Sequence, residues 1–168
     1  MGKVSAEEEQ KDRIEGIVGV VSDIFKVKKE YETAIETALG GNIKNMITKT
    51  DTAAKQLIGF LKKNKYGRAT FLPMSSVKSR GAFRHPEALS QPGVIGVASN
   101  LVECHKQYEG IIEYLLGQVL VVDHVDHAIS LQRRFQQSLR IVTLEGELLN
   151  PGGSMTGGSS VKNAGLLS

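Results

Sequence analysis

The sequence predicts an α/β fold built from two related units, each with helices packed on a mixed sheet. When residues 16–41 are aligned with residues 93–118, 11 of 26 positions are identical without a gap, whereas typical residue frequencies give about one or two. Within each unit, short apolar runs alternate with segments whose apolar residues recur at helical spacing. Because this alternation is typical of sheets covered by helices, we expect a layered arrangement with an internal duplication of about 75 residues.

The elements are predicted to follow the same order in both units: strand, helix, strand, helix and strand. The first helix of the first unit places Tyr31, Ile35, Ala38 and Leu39 on one face. The second strand of the second unit is continuously apolar, which predicts that both of its faces are covered. The predicted ranges are 16–21, 28–39, 43–48, 52–63 and 68–72 in the first unit, and 106–116, 119–122, 127–137 and 140–144 in the second.

Glycines and aspartates mark the predicted ends of the helices. Gly40 and Gly117 follow the first helix of each unit and are expected to stop it in a left-handed backbone conformation. Asp51 and Asp126 stand at the start of the second helix, where a carboxylate can accept hydrogen bonds from backbone N–H groups. We therefore expect these two aspartates to cap the second helices.

The duplication also predicts the domain organisation. Residues 16–72 form the first unit, residues 93–160 form the second, and residues 73–92 connect them. Prolines and a glycine punctuate the connector, so it is predicted to be mostly a loop, with a short helix near residues 87–89.

Composition excludes several classes of protein. No apolar run approaches the roughly 20 residues that a membrane helix needs, and the amino terminus lacks the apolar core of a secretion signal. The single cysteine, Cys104, excludes an internal disulfide and a cysteine-ligated metal cluster, which fits a reducing compartment. Aromatic residues make up 5% of the chain, which argues against an aromatic-lined pocket for a sugar or a base.

Positive charge is concentrated in the first unit and the connector. The net charge is −2 for residues 1–15, +7 for residues 16–92 and −2 for residues 93–168. Such asymmetry predicts a surface that faces a polyanion; the alternative for any one residue is ordinary solvated surface or, at a helix end, complementation of the helix dipole. Eight basic residues without an intervening carboxylate are the candidate phosphate contacts: Lys55, Lys62, Lys63, Lys65, Arg68, Lys78, Arg80 and Arg84.

Glycine is concentrated near the carboxyl end, where residues 145–158 read EGELLNPGGSMTGG. One interpretation is an anion-binding loop, although neither Gly-Lys-Ser/Thr nor Gly-x-Gly-x-x-Gly occurs. A second is a loose linker at a domain end. We favour a third, the close approach of another chain to bare backbone, because glycine has no side chain and the spacing is too structured for a spacer. The glycines concerned are Gly146, Gly152, Gly153, Gly157 and Gly158.

Few residues suggest catalysis or metal binding. Residues 123–127 read DHVDH, but no third histidine or cysteine lies nearby in sequence, so a solvated helix start is preferred over a metal site. Cys104 aligns with the apolar Val27 and is expected to be a buried structural thiol. We expect the chain to have no catalytic activity and to bind neither a metal nor a cofactor. The alternative function is that of a small nucleotide- or phosphate-binding protein, in which the glycine-rich tail (residues 145–158) is an anion-binding loop.

Two segments carry a resemblance to a known family. Residues 67–73 read GRATFLP after a lysine-rich helix, and residues 150–158 read NPGGSMTGG. Together they resemble the hinge domain of bacterial structural-maintenance-of-chromosomes (SMC) proteins, and the resemblance extends over about residues 14–160. By this resemblance, residues 1–15 are the end of an incoming coiled-coil arm and residues 161–168 the start of the returning arm.

The resemblance implies a homodimer in which the first unit of each protomer meets the second unit of the other, partly by joining their sheets. The tail glycines map to this contact, and Gly40 and Gly41 are expected to lie opposite them. It also implies a cytoplasmic, nucleoid-associated role in chromosome condensation and segregation. DNA, preferably single-stranded, is the expected partner of the basic residues, to which Lys44 or Lys49 is added. ATP hydrolysis and kleisin-type partners belong to head domains that this sequence lacks.

Overall fold

A computed structural model describes residues 16–159, whose strands form two sheets and one two-stranded ribbon. The strands are β1 (Ile17–Val20), β2 (Phe25–Val27), β3 (Met46–Thr48), β4 (Phe71–Pro73), β5 (Val94–Val97), β6 (Val102–Cys104), β7 (Val119–Val122), β8 (Arg140–Thr143), β9 (Leu148–Leu149) and β10 (Met155–Thr156). The helices are α1 (Glu32–Leu39), α2 (Asp51–Asn64), α3 (Glu109–Leu116) and α4 (Val125–Arg134). The predicted arms, residues 1–15 and 161–168, lie outside the described residues.

The two sheets repeat one topology. In the first sheet, ordered β1-β3-β4, β1 is antiparallel to β3 and β3 is parallel to β4; β5, β7 and β8 pair in the same way within the second sheet, ordered β10-β9-β8-β7-β5. Both first strands also contain a bulge at the same place, at Val18 and at Ile95. The predicted class, mixed sheets with packed helices in two repeated units, is therefore confirmed. The exact boundaries of the units stay a prediction.

One hydrophobic core joins the two units. β2 of the first unit pairs with β6 of the second, and the largest cluster contains Ile35 and Leu39 from α1 together with Ile112 and Leu116 from α3. A second cluster lies on the other face of the second sheet, beneath α4, and a small third cluster lies beneath α2. Helices therefore cover both faces of β7, every residue of which is buried, as the sequence predicts.

The predicted aspartate caps are wrong. Thr50 Oγ1 accepts a hydrogen bond from the Ala53 N–H at 3.1 Å, and His124 Nδ1 accepts one from the Asp126 N–H at 3.1 Å. Asp51 and Asp126 lie inside the first turns of α2 and α4, where the helix dipole favours a carboxylate. Each capping acceptor therefore stands one or two residues earlier than the sequence predicts.

Two predicted strands begin later than expected. Residues 40–44 form a 3-10 turn that buries Ile43, so β3 begins at Met46. Residues 66–70 are irregular, so β4 begins at Phe71. In the first case the apolar residue that suggested a strand is buried by a helical turn instead.

Neither helix-ending glycine adopts the full left-handed conformation that the sequence predicts. Gly40 has a positive φ of 53°, which favours glycine, but its ψ is −132°, and Gly117 has a φ of −70°. A Cβ at Gly117 would lie 2.4 Å from the carbonyl oxygen of Glu113. Glycine at this position therefore relieves a steric clash and does not supply a left-handed turn.

Replacing Gly59 with alanine is expected to raise the free energy of unfolding by about 1 kcal/mol. Gly59 lies in the exposed middle of α2, and apart from the neighbouring helix backbone no atom lies within 4 Å of an added Cβ, so alanine gains helix propensity without a clash. Urea denaturation measures the change. Gly93→Ala is the contrasting variant, because its φ is 81° and its Cβ would lie 2.4 Å from His127 Nδ1; a loss of stability at both positions would contradict the prediction.

Candidate dimer and nucleic-acid surfaces

The glycine-rich tail forms an ordered hairpin at the edge of the second sheet. β10 pairs with β9, and the Asn150 N–H donates to the Ser154 carbonyl at 2.9 Å. In the turn, the Gly153 N–H donates to the Asn150 carbonyl at 3.0 Å and the Gly152 N–H to the Gln137 carbonyl at 2.6 Å. These pairings do not fit a loose linker, and they use two amides that an anion-binding loop would direct at its ligand.

Gln132, a buried residue of α4, fixes the hairpin to the rest of the unit. Its Nε2 donates to the carbonyls of Leu139 at 2.7 Å and Asn150 at 3.1 Å, while its Oε1 accepts from the Leu139 N–H at 2.9 Å. Sequence reasoning missed this residue. The available signal was its helical spacing with the apolar Ala128 and Leu131, which places an amide on the buried face.

The hydrogen bonds of β10 leave one residue directed away from the sheet. Because the Ser154 carbonyl faces β9, alternation along an antiparallel strand turns the N–H and C=O of Met155 to the opposite side. Among residues 16–159 no strand pairs with that side. The Met155 side chain is 54% exposed.

β4 presents a corresponding open edge on the first sheet. The Met46 N–H donates to the Thr70 carbonyl at 3.0 Å and the Met74 N–H to the Thr48 carbonyl at 2.8 Å, which fixes the register of β4 beside β3. In this register the backbone of Phe71 faces away from β3. Within the described range, β4 is an edge strand, so its outer side has no strand partner.

The glycines predicted at the dimer contact fall into two groups. Three lie against side chains of their own protomer: Gly146, Gly153 and Gly157. Of these, Gly146 packs on α1, since its Cβ would lie 3.1 Å from Thr33 Cγ2. Four have no atom within 4 Å of an added Cβ: Gly40, Gly41, Gly152 and Gly158. The first group therefore shapes the protomer itself, and the second leaves bare backbone at its surface.

The predicted phosphate contacts are all exposed but occupy two places. Lys62, Lys63, Lys65 and Arg68 follow one another at the carboxyl end of α2 and before β4, with Lys55 earlier on the same helix. The connector residues lie by the second unit: Lys78, Arg80 and Arg84. Among residues 16–159, the ion pairs within 4.0 Å involve histidines alone, so no lysine or arginine is neutralised by a carboxylate.

His124 and His127 form hydrogen bonds at the first turn of α4. His127 Nδ1 and Asp123 Oδ1 lie 2.7 Å apart, and this hydrogen bond lowers the pKa of Asp123 below its ordinary value. Over residues 16–159, no three metal-ligating side chains come together as a metal site would require. The acidic and imidazole groups therefore stabilise the helix start.

Cys104 is expected to react slowly with iodoacetamide at about pH 8. The Cys104 thiol on β6 is half-buried, whereas the sequence predicts a buried thiol. Burial first, and then the negative charges of Glu109 and Glu113, raise its pKa. Less of the reactive thiolate therefore exists at a given pH than in an unperturbed cysteine. We expect Glu113→Gln to speed alkylation and Glu87→Gln, in the connector, to leave it unchanged; equal rates for wild type and Glu113→Gln would contradict this.

Comparison with known proteins identifies the family. Residues 14–132 match the family described as SMC proteins Flexible Hinge Domain. The chain is 41% identical over 158 residues to the chromosome partition protein Smc of Halothermothrix orenii and 42% identical over 160 residues to that of Bacillus subtilis. Both matches cover 94% of this chain but only 13% and 14% of the relatives, so the chain spans a small part of their length.

A solved structure has the same fold. The asymmetric dimer of the Geobacillus stearothermophilus SMC hinge domain matches with a TM-score of 0.86 and 40% identity, over 95% of this chain and 64% of that chain. Among the helices of residues 16–159, none combines the length and the hydropathy of a membrane-spanning segment. The matched domain is a hinge and not a catalytic domain. With the duplicated sheets, the tail hairpin and these similarities in agreement, the chain belongs to the SMC hinge-domain family.

Proposed function

We propose that this chain is the dimerisation module of an SMC chromosome partition protein, where it joins two coiled-coil arms and closes a ring that entraps DNA. The observation that carries the proposal is the pair of open sheet edges at β4 and β10. The relatives named as chromosome partition proteins and the dimeric Geobacillus hinge support it. In the full-length protein, ATP hydrolysis and kleisin-type subunits belong to head domains, and the assembly acts in the cytoplasm at the nucleoid.

Twofold symmetry makes the two edges complementary. Each protomer offers the β4 edge on the first unit and the β10 edge on the second, so a single twofold axis pairs β4 with β10 of the partner at two junctions. The outward backbone of Phe71 then pairs with that of the partner subunit's Met155. Neither edge is long, and two short junctions in one closed dimer cover the β4 and β10 edges of both protomers.

Bare glycines allow the second chain to come close to these edges. Gly152 and Gly158 flank β10, and Gly40 and Gly41 lie in the turn that follows α1. A side chain at any of them would hold the partner's backbone away. We also place Gly146 and Gly157 at the dimer interface. They act by shaping the β8–β9 turn and the hairpin that the partner contacts.

The double variant Gly41→Gln/Gly157→Gln is expected to be a folded monomer. Gly41 has open space around it, and at Gly157 the flexible Glu147 side chain, 3.1 Å away, can shift. Sedimentation equilibrium measures the mass, and thermal melting checks the fold. Gly59→Gln is the matched control, since it adds the same side chain to open surface on α2. If the double variant sedimented as a dimer, like the wild type, these glycines would not form the dimer interface.

We further propose weak, sequence-independent DNA binding by the exposed cations at the end of α2, preferably to single strands. The absence of carboxylate partners among residues 16–159 leaves their charge available to phosphate groups. The low aromatic content limits base stacking, so phosphate contacts dominate and binding falls with salt.

Raising the salt concentration from about 50 to 200 mM is expected to weaken binding of a labelled oligothymidylate at least tenfold. The variant Lys62→Gln/Lys63→Gln/Arg68→Gln is expected to bind more weakly and with a smaller salt dependence. Lys106→Gln, in the 3-10 turn before α3, is the control for loss of one exposed charge. Affinity that hardly changes with salt would refute this assignment.

A further inference from the structure

The second unit carries a basic surface of its own. Arg133 and Arg134 lie in the last turn of α4, and Arg140 begins β8; all three are exposed. The connector brings Arg84 to the same end of the sheet, because its N–H donates to Gln118 Oε1 at 3.1 Å. Gln118 directly precedes β7, whose first residue lies opposite the first residue of β8. We call these four arginines the arginine surface.

The ring of His85 holds the connector against α4. It packs edge-on against Phe135 at 5.8 Å and against Phe83 at 6.1 Å between ring centroids. Phe135 follows the last turn of α4, so the rings fix Arg84 beside that turn. The surface is therefore assembled from three separate segments, and of its four arginines only Arg84 belongs to the basic run seen in the sequence.

The ends of α2 and α4 are built alike. Each last turn contains two adjacent cations, Lys62 and Lys63 in one helix and Arg133 and Arg134 in the other. A residue with positive φ follows each helix: Lys65 at 54° directly after α2, and Gln136 at 55° one residue beyond Phe135, which caps α4. Arg68 precedes the last strand of the first unit, as Arg140 begins the corresponding strand of the second. The duplicated fold therefore places cations at the same end of both sheets.

Neutral side chains orient two of the arginines. Arg134 Nη1 donates to Gln91 Oε1 at 2.8 Å, and Arg140 Nη1 donates to Asn150 Oδ1 at 2.8 Å. In residues 16–159, no carboxylate oxygen lies within 4.0 Å of these guanidinium groups. Complementing the helix dipole explains cations in the last turn of α4 but not the orientation of Arg140 on β8. Each guanidinium is held in place with its charge uncompensated and with N–H groups left for a bidentate acceptor.

We propose that the arginine surface is a second nucleic-acid site, which binds backbone phosphates of a strand that also contacts the lysines of the first unit. It rests on the proposed DNA binding and adds the second unit to it. Arginine suits the role because its planar fork matches two phosphate oxygens. Each dimer then has four basic surfaces, and a strand held at two of them gains affinity from the linkage.

The test uses Arg133→Gln/Arg134→Gln/Arg140→Gln and an oligothymidylate of about 30 nucleotides, titrated by fluorescence anisotropy across salt concentrations. We expect affinity at low salt to fall at least tenfold. We also expect the slope of log affinity against log salt to decrease by about 2, since each phosphate contact on a single strand contributes about 0.7. The corresponding triple Arg→Lys variant keeps most of the slope. Thermal melting verifies that all variants fold.

The outcomes separate the two proposals. Wild-type affinity and slope in the triple Arg→Gln variant would overturn the arginine surface; if Lys62→Gln/Lys63→Gln/Arg68→Gln still bound weakly, DNA binding by the first unit would stand. An equal loss per charge in Lys106→Gln would also overturn it, since net charge alone would then explain binding. No salt-dependent binding by the wild type would overturn both proposals.

Discussion

Met155→Pro is expected to convert the dimer into a folded monomer. Proline lacks the N–H group that Met155 directs away from β9, so the β10 edge loses its donor to the partner's β4. The pairing of β10 with β9 does not use that donor, and proline is tolerated on edge strands. Because one substitution affects both symmetric junctions, we expect the dimer dissociation constant to rise by about a hundredfold or more, which is about 2.8 kcal/mol.

Met155→Ala separates the backbone effect from the side chain. It keeps the N–H group and removes only a thioether that is 54% exposed in the protomer, so the variant should remain mostly dimeric. Light scattering over a dilution series gives both dissociation constants. If the proline variant dimerised as tightly as wild type, strand pairing at β10 would not stabilise the dimer interface. The proposed β4–β10 junction would then be wrong.

Features set by local pattern could be predicted from the sequence. The duplication predicted the repeated topology, and the continuous apolar run predicted the buried β7 with its correct bounds. The later start of β3 could not be predicted, because Ile43 is apolar in either structure and only packing shows that a 3-10 turn buries it. The cap at His124 was missed because an unprotonated imidazole is a less usual capping acceptor than a neighbouring aspartate.

At the candidate surfaces too, some features follow from local sequence pattern and others are revealed only by the fold. Glycine spacing predicted a special tail, but only the fold distinguishes Gly146, which packs on α1, from Gly152, which lies in the open. The contact between Gly146 and Thr33 joins residues more than a hundred positions apart, and no local pattern reports it. A basic run revealed the lysines of the first unit. Of the arginine surface, only Arg84 was among the predicted contacts, because three separate segments contribute to that surface.

Gln132→Leu is expected to lower the free energy of unfolding by about 2–4 kcal/mol and the melting temperature by about 5–15 °C. Leucine fills a similar volume but leaves the Leu139 N–H and the carbonyls of Leu139 and Asn150 without the amide that satisfies them. Because Asn150 begins the tail hairpin, we also expect faster hydrogen exchange at β9 and a weaker dimer.

Measuring the dimer dissociation constant of the Gln132 variants tests whether this buried amide supports the proposed function. Gln56→Leu, at an exposed position on α2, is the matched control and should change stability by less than about 0.5 kcal/mol. Gln132→Glu keeps the acceptor for Leu139 but loses the donor to both carbonyls, so it should loosen the hairpin as well. If Gln132→Leu melted like wild type, the amide would not anchor the tail. If Gln132→Leu lost stability yet dimerised normally, the tail hairpin would not form the dimer interface.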